Sequence, residues 1–152
     1  MTDTSHDVRT LNGLIATTID SVDGYRESAK DATSPQLKET FLARADERQQ
    51  VADNLRQKVS ALGGNPEDDG TLLAGAHRAF VDLKAAVAGN DDKAVVAEVE
   101  RGEDHIKAKF EDALKDDELS PDARSAIESA FSSVKAGHDE MSALKHSMAP
   151  NA

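Results

Sequence analysis

The sequence predicts an all-α fold: a single bundle of four long helices, with a fifth, shorter helix as a crossover between the second and third long ones. Three observations carry this. Apolar residues recur at intervals of three, four and seven over long segments, which is a helical period. Those segments are divided by Ser34-Pro35 and Ser120-Pro121, where serine caps a helix that proline begins, and by the breakers Gly63-Gly64-Asn65-Pro66 and Gly89-Asn90. The aromatics Tyr25, Phe41, Phe80, Phe110 and Phe131 fall one to a segment, each on its apolar face, a consistency across levels that supports the assignment.

The first helix is expected from about Thr4 to Ala32, with Val8, Leu11, Ile15, Val22 and Ala29 on its stripe and Thr18 and Tyr25 among them. The second starts at Ser34-Pro35 and carries Leu37, Phe41, Val51, Ala52, Leu55, Val59 and Leu62 inward. Arg44 and Arg48 project from that same face. The favoured reading is that their stems pack while their heads snorkel to the edge; the other is that they supply a buried partner to a carboxylate. After an acidic loop, residues 71–88 are expected to form the crossover helix, with Leu73, Ala76, Phe80, Leu83 and Val87 inward and His77 on its flank. The third long helix spans about Asn90 to Lys115. The fourth follows Ser120-Pro121 and runs to about Lys145 or His146, with Ala123, Ile127, Ala130, Phe131, Val134 and Met141 on its stripe and His138 among them. Residues 148–152 are expected to fray. Short turns make each pair of long helices an antiparallel hairpin, and the long link between the hairpins leaves the second and third long helices parallel.

The third long helix organises the chain. Val95, Val96, Val99, Ile106, Phe110 and Leu114 fall within about 60° of one direction on a helical wheel, and Glu103 falls among them. A buried carboxylate must be protonated, paired with a cation or bound to metal, because an uncompensated one costs several kcal/mol or more. Lys107, four residues on, offers a local pairing.

Composition narrows the function. The 152 residues fit one domain covering 1–152. With 29 acidic against 18 basic residues the net charge is -11, which argues against nucleic acid or anionic lipid as a partner. Acids gather at Glu67-Asp68-Asp69, Asp91-Asp92 and Asp116-Asp117-Glu118, where the simplest reading is a solvated surface. There is no cysteine, so disulfides, thiolate catalysis and zinc-thiolate sites are excluded. No apolar run approaches the ~20 residues of a membrane span and the N-terminus lacks a signal-peptide core; the expectation is a cytoplasmic protein.

A di-iron or di-manganese site in such a bundle needs a glutamate from each of two helices and Glu-x-x-His from each of the other two, since residues three apart share a face. No Glu-x-x-His occurs in this chain. The nearest approaches are Glu47 with Gln50 and Glu128 with Phe131. A less regular iron or manganese site from Glu47, Glu100, Glu103 and His138 is the metal-binding alternative. Otherwise Thr18, Tyr25, Arg44, Arg48, Glu103 and His138 put polar groups on the inner faces of all four long helices, an expected inner polar cluster with no cofactor. No nucleophile constellation or phosphate loop is recognisable.

Several separated segments, LNGLIATTIDSVDGYRESA (Leu11 to Ala29), LGGNPEDDGTLLAGAHRAFVDLK (Leu62 to Lys84), VERGED (Val99 to Asp104) and VKAGHDEMSALK (Val134 to Lys145), together resemble an uncharacterised bacterial family of ferritin-like four-helix-bundle proteins. The resemblance implies a ferritin-like bundle and, by analogy, a connection with stress physiology or metal handling. The missing Glu-x-x-His motifs set oxidase and iron-storage activity against that analogy. The sequence therefore points first to a non-catalytic bundle acting as a binding or stress-associated protein, and second to an atypical iron or manganese protein with redox activity toward oxygen or peroxide. It leaves self-association open and specifies no protein partner.

Overall fold

A computed structural model of the chain describes residues 4–68 and 92–148, and these form four long helices with no strand among them. Helix α1 spans Ser5–Asp31, α2 Pro35–Ala61, α3 Asp92–Leu114 and α4 Pro121–Met148. The expected crossover helix at 71–88, with His77 and Phe80, lies outside the described residues, as do 149–152; Met148 is the last residue of α4.

The boundaries follow from the capping chemistry. The Ser34 hydroxyl accepts from the Leu37 amide at 3.4 Å, and the Ser120 hydroxyl accepts from the Ala123 amide at 3.1 Å, each just before a proline that needs no donor. Helix α2 closes with Gly63 at φ 86°, where a left-handed residue costs glycine nothing. The Gly63 amide donates to Ser60 and the Gly64 amide to Val59, the paired bonds of a Schellman motif. Beyond it the chain is tied to α1, as Asn12 donates to the Asn65 carbonyl at 3.0 Å and accepts from the Glu67 amide at 2.8 Å.

Helix α1 packs on α2 and α3, and α4 packs on α3 and α2, so α2 and α3 face each other across a diagonal. Directions are fixed by contacts at the ends. Thr33, after α1, bonds Asp92 at the start of α3, while His6 at the start of α1 meets Asp116 after α3; α1 and α3 are antiparallel. Lys58 near the end of α2 pairs with Asp122 at the start of α4, so these too are antiparallel. Helices α2 and α3 are therefore parallel, as the hairpin argument expects.

The core divides into two apolar clusters. One holds Leu11, Ile15, Leu55, Val59, Ile106, Phe110, Ile127 and Val134; the other holds Val22, Tyr25, Phe41, Ala45, Val95, Val96, Val99 and Met141. Phe131 is only half-buried and stacks on Phe110, 6.4 Å between ring centroids, so its face is less inward than its stripe suggests. In sequence, the break between clusters falls in α1 between Ile15 and Val22, in α2 between Ala45 and Val51, in α3 between Val99 and Ile106, and in α4 between Val134 and Met141. Polar side chains occupy that waist.

Candidate functional site: a buried polar waist

Glu103 is 1% exposed, and its partner is Arg48, also 1% exposed. Arg48 Nη1 donates to Glu103 Oε1 at 2.7 Å and Nη2 donates to Oε2 at 2.6 Å, the bidentate geometry in which a guanidinium matches a carboxylate best. The pair spans the diagonal between α2 and α3. Helix α1 adds Tyr25, whose hydroxyl donates to Glu103 Oε1 at 2.8 Å and whose ring lies 5.6 Å from the guanidinium carbon, and Ser21, which accepts from Arg48 Nη1 at 2.7 Å. Helix α4 adds the Val134 carbonyl, 3.3 Å from Arg48 Nη2. All four helices therefore meet at one charge pair.

Room for it comes from Gly137. A Cβ there would stand 2.5 Å from Arg48 Nη2 and 3.3 Å from Glu103 Oε2, too close for either atom to stay. Burial pushes the Tyr25 hydroxyl well above the usual tyrosine range, the Glu103 carboxylate reinforces the shift, and Arg48 only partly offsets it. The phenol stays a proton donor to the carboxylate.

This arrangement corrects two expectations. Arg48 does not snorkel: its head points inward to the carboxylate at the other end of the α2–α3 diagonal, where a charge could not remain alone. Lys107 does not account for Glu103, whose cation comes from α2. Ser21 and Gly137 were not among the residues singled out from sequence. Ser21 lies one turn from both Thr18 and Tyr25, and a mid-helix glycine between the stripe positions Val134 and Met141 is the signature of a close approach.

The remaining candidates lie elsewhere. Thr18 is fully buried but its hydroxyl donates to the Leu14 carbonyl at 2.7 Å, satisfied within its own helix. Arg44 lies at the α2–α4 edge, bonded to Glu140 at 2.7 Å and Glu47 at 2.9 Å. Glu47 also accepts from Ser133 at 2.6 Å. Glu100 pairs with Lys145 at 3.4 Å, and His138 Nε2 sits 2.6 Å from Asp104 with Asp139 at its other nitrogen. Glu47, Glu100, Glu103 and His138 thus have separate partners and do not converge. Both Glu103 oxygens are filled by protein donors, so this set does not fit a dimetal centre.

Among the described residues one His–carboxylate group gathers within ligating distance, at the end of the bundle: His6, Asp116 and Glu118. His6 Nε2 is 2.5 Å from Asp116 Oδ2, and its Nδ1 is 3.9 Å from Glu118 Oε2. The Glu118 side chain is 80% exposed, so this is a surface staple between α1 and the α3–α4 turn. At the opposite end of the bundle the Asp92 carboxylate accepts from the Thr33 amide at 2.7 Å, the Thr33 hydroxyl at 2.8 Å and the Ser34 amide at 3.1 Å. Burial opposes its ionisation, but those bonds, with Lys38 nearby, outweigh it and hold its carboxyl below the usual range.

Among the described residues no helix is long and apolar enough to cross a membrane. A family model described as a domain of unknown function, DUF2383, matches residues 7–116, a span that contains Ser21, Tyr25, Arg48 and Glu103 and ends before Gly137. No curated protein matches the chain.

Proposed function

The chain belongs to the DUF2383 family, and we propose that it is a non-catalytic, cytoplasmic, ferritin-like bundle that acts as a binding or stress-associated protein, with the buried waist fixing how its two hairpins pack. One observation carries this reading: Glu103, the carboxylate at the centre of the bundle, has both oxygens occupied by Arg48 and Tyr25. A catalytic carboxylate needs an open oxygen to meet its substrate, whereas a bidentate arginine with a phenol donor occupies both. The parallel α2 and α3 on one diagonal, with antiparallel hairpins either side, support the ferritin-like part of the proposal.

The rival is an iron or manganese protein active toward oxygen or peroxide. The observation in its favour is the gathering of His6, Asp116 and Glu118, which offers one nitrogen and two carboxylates to a single ion. That group is open to water and far from the waist. Metal content by mass spectrometry, on untagged protein purified without chelator and then titrated anaerobically with iron(II) and manganese(II), separates the two. The first reading expects sub-stoichiometric metal and no saturable site. Stoichiometric metal lost in Glu103→Gln would overturn it at the waist; stoichiometric metal lost in His6→Ala would replace it with a surface metal site.

A further inference from the structure

Among the described residues, a groove between α2 and α4 and another between α1 and α3 arrange their charges differently. The groove between α2 and α4, about 570 Å³, includes Glu47 and Lys58 in its lining; Glu47 is held by Arg44 and Ser133, and Lys58 by Asp122. The groove between α1 and α3, about 440 Å³, is lined by Arg9, Thr10, Gly13, Leu14, Thr17, His105, Lys109 and Ala113. None of these described lining residues carries a carboxylate. Its three basic side chains, Arg9, His105 and Lys109, are exposed and take part in no ion pair or side-chain hydrogen bond among the described residues. In a chain of net charge -11, cations collected without acids around a concavity are unusual.

The helices build this concavity by register. His6 opposite Asp116 fixes the antiparallel alignment of α1 and α3, and counting inward sets Arg9 level with Ala113, Gly13 with Lys109 and Thr17 with His105. Spacings of four keep each set on one face. Gly13 stands opposite Lys109, in mid-helix, where glycine is poorer than alanine. A Cβ there would meet nothing within 4 Å, so no neighbour demands a glycine. Its effect is an open floor at the level of Lys109. Thr17 spends its proton on the Gly13 carbonyl at 3.1 Å and keeps its lone pairs, while the half-buried Thr10 lies one turn from Gly13.

We propose that this α1–α3 groove binds a small phosphate-bearing anion, with Arg9 and Lys109 clamping the phosphate across Gly13 and His105 at the far rim. Arginine supplies planar paired donors and lysine a point charge, the combination that suits phosphate oxygens. The volume lies in the range of small-molecule sites, roughly 300–1,000 Å³. The net negative charge works against a polyanion, whose many charges it repels together. A small anion feels mainly the groove, because charges beyond about 8–10 Å are screened at physiological salt. The site shares no residue with the buried waist, so either reading can fail alone.

The test is isothermal titration of the full chain with inorganic pyrophosphate and with ATP at low and physiological salt, beside sedimentation with vesicles containing phosphatidic acid. The expected result is saturable one-to-one binding of at least one small anion, weakened as salt rises. Arg9→Gln with Lys109→Gln should weaken it by about tenfold or more, and Gly13→Leu should weaken it comparably without changing charge. Lys135→Gln, outside the groove, should leave it unchanged. Circular dichroism confirms that each variant is folded, as expected for exposed positions. Accompanying vesicle binding, lost in the same variants, would support the site with a lipid phosphate as its source. The proposal is overturned if neither anion binds up to about 5 mM, if the double variant stays within twofold of the parent, or if the protein binds vesicles but neither pyrophosphate nor ATP.

Discussion

Helix α3 ties itself to the other hairpin with a carboxylate at two places, and the two solutions are opposite. At the waist Glu103 is sealed from water and answered by a full charge, the bidentate guanidinium of Arg48. At the bundle end Asp92 is partly open and answered by two backbone amides and a hydroxyl in the α1–α2 turn. The difference is one of dielectric. Where water still reaches, dipoles suffice to hold an anion; where it does not, desolvation costs several kcal/mol per ion and only an opposite charge offsets it. The waist is thus an all-or-none element, and the end is a graded one.

The sharpest break of that comparison is Glu103→Ala. It leaves Arg48 buried without its anion, and losses of about 3–5 kcal/mol follow from removing one partner of a buried pair. For a chain of this size that is a fall in Tm of roughly 10 °C or more. Replacing both partners with apolar residues, Arg48→Met with Glu103→Leu, should restore most of the stability, since buried pairs replaced together are often neutral. If the waist fixes how the hairpins pack, that double variant keeps its Tm but shows more than one species by heteronuclear NMR or analytical ultracentrifugation. A double variant as unstable as Glu103→Ala would show that the pair stabilises the fold outright; one that is stable and uniquely folded would show that it specifies nothing.

Two glycines beside the pair refine the point. Gly137→Ala drives a Cβ to within 2.5 Å of Arg48 Nη2, and overpacking of about 1–3 kcal/mol should outweigh the helix-propensity gain of alanine. Gly102→Ala, next to Glu103 in sequence but exposed and with nothing within 4 Å of its Cβ, should instead gain up to about 1 kcal/mol. In the Met/Leu background the Gly137→Ala penalty should shrink, because its cause is the arginine head. Thermal or urea unfolding of the four proteins reads this directly, and an unchanged penalty would place the clash elsewhere.

Much of this could be read from the chain. Periodicity and the Ser-Pro pairs located the four helices, and the wheel put Glu103 inside, because faces are encoded in local spacing. What spacing does not encode is height: Arg48 and Glu103 meet only once α2 and α3 have been set in register by hairpins joined through a long connection. The same gap explains why Thr18 and His138, on the correct stripes, stand apart from the pair, and why Glu47, Glu100, Glu103 and His138 suggested a metal set that the bundle disperses. Asp92 was hidden for another reason. In an acidic run it looks like solvated surface, and its work as a cap depends on Thr33 and Ser34, about 58 residues away. Asp7 is similar, 4% exposed and accepting from the Ser120 amide at 3.1 Å.

The smallest effect tests the graded end. Because the folded Asp92 carboxyl ionises below its unfolded value, the stability it contributes is fully present above the unfolded pKa, about 3.9, and is lost as pH falls through the lower folded value. Asp92→Asn keeps an oxygen for one of the Thr33 and Ser34 donors but removes the charge, so at neutral pH a loss of about 1 kcal/mol is expected, as for other lost caps. The gap between parent and variant should close as the pH falls below the unfolded value of about 3.9 and on through the lower folded one. A gap that persists to pH 2 in urea titrations would mean that Asp92 acts through shape alone, and the contrast between charge at the waist and dipoles at the end would have to be redrawn around packing.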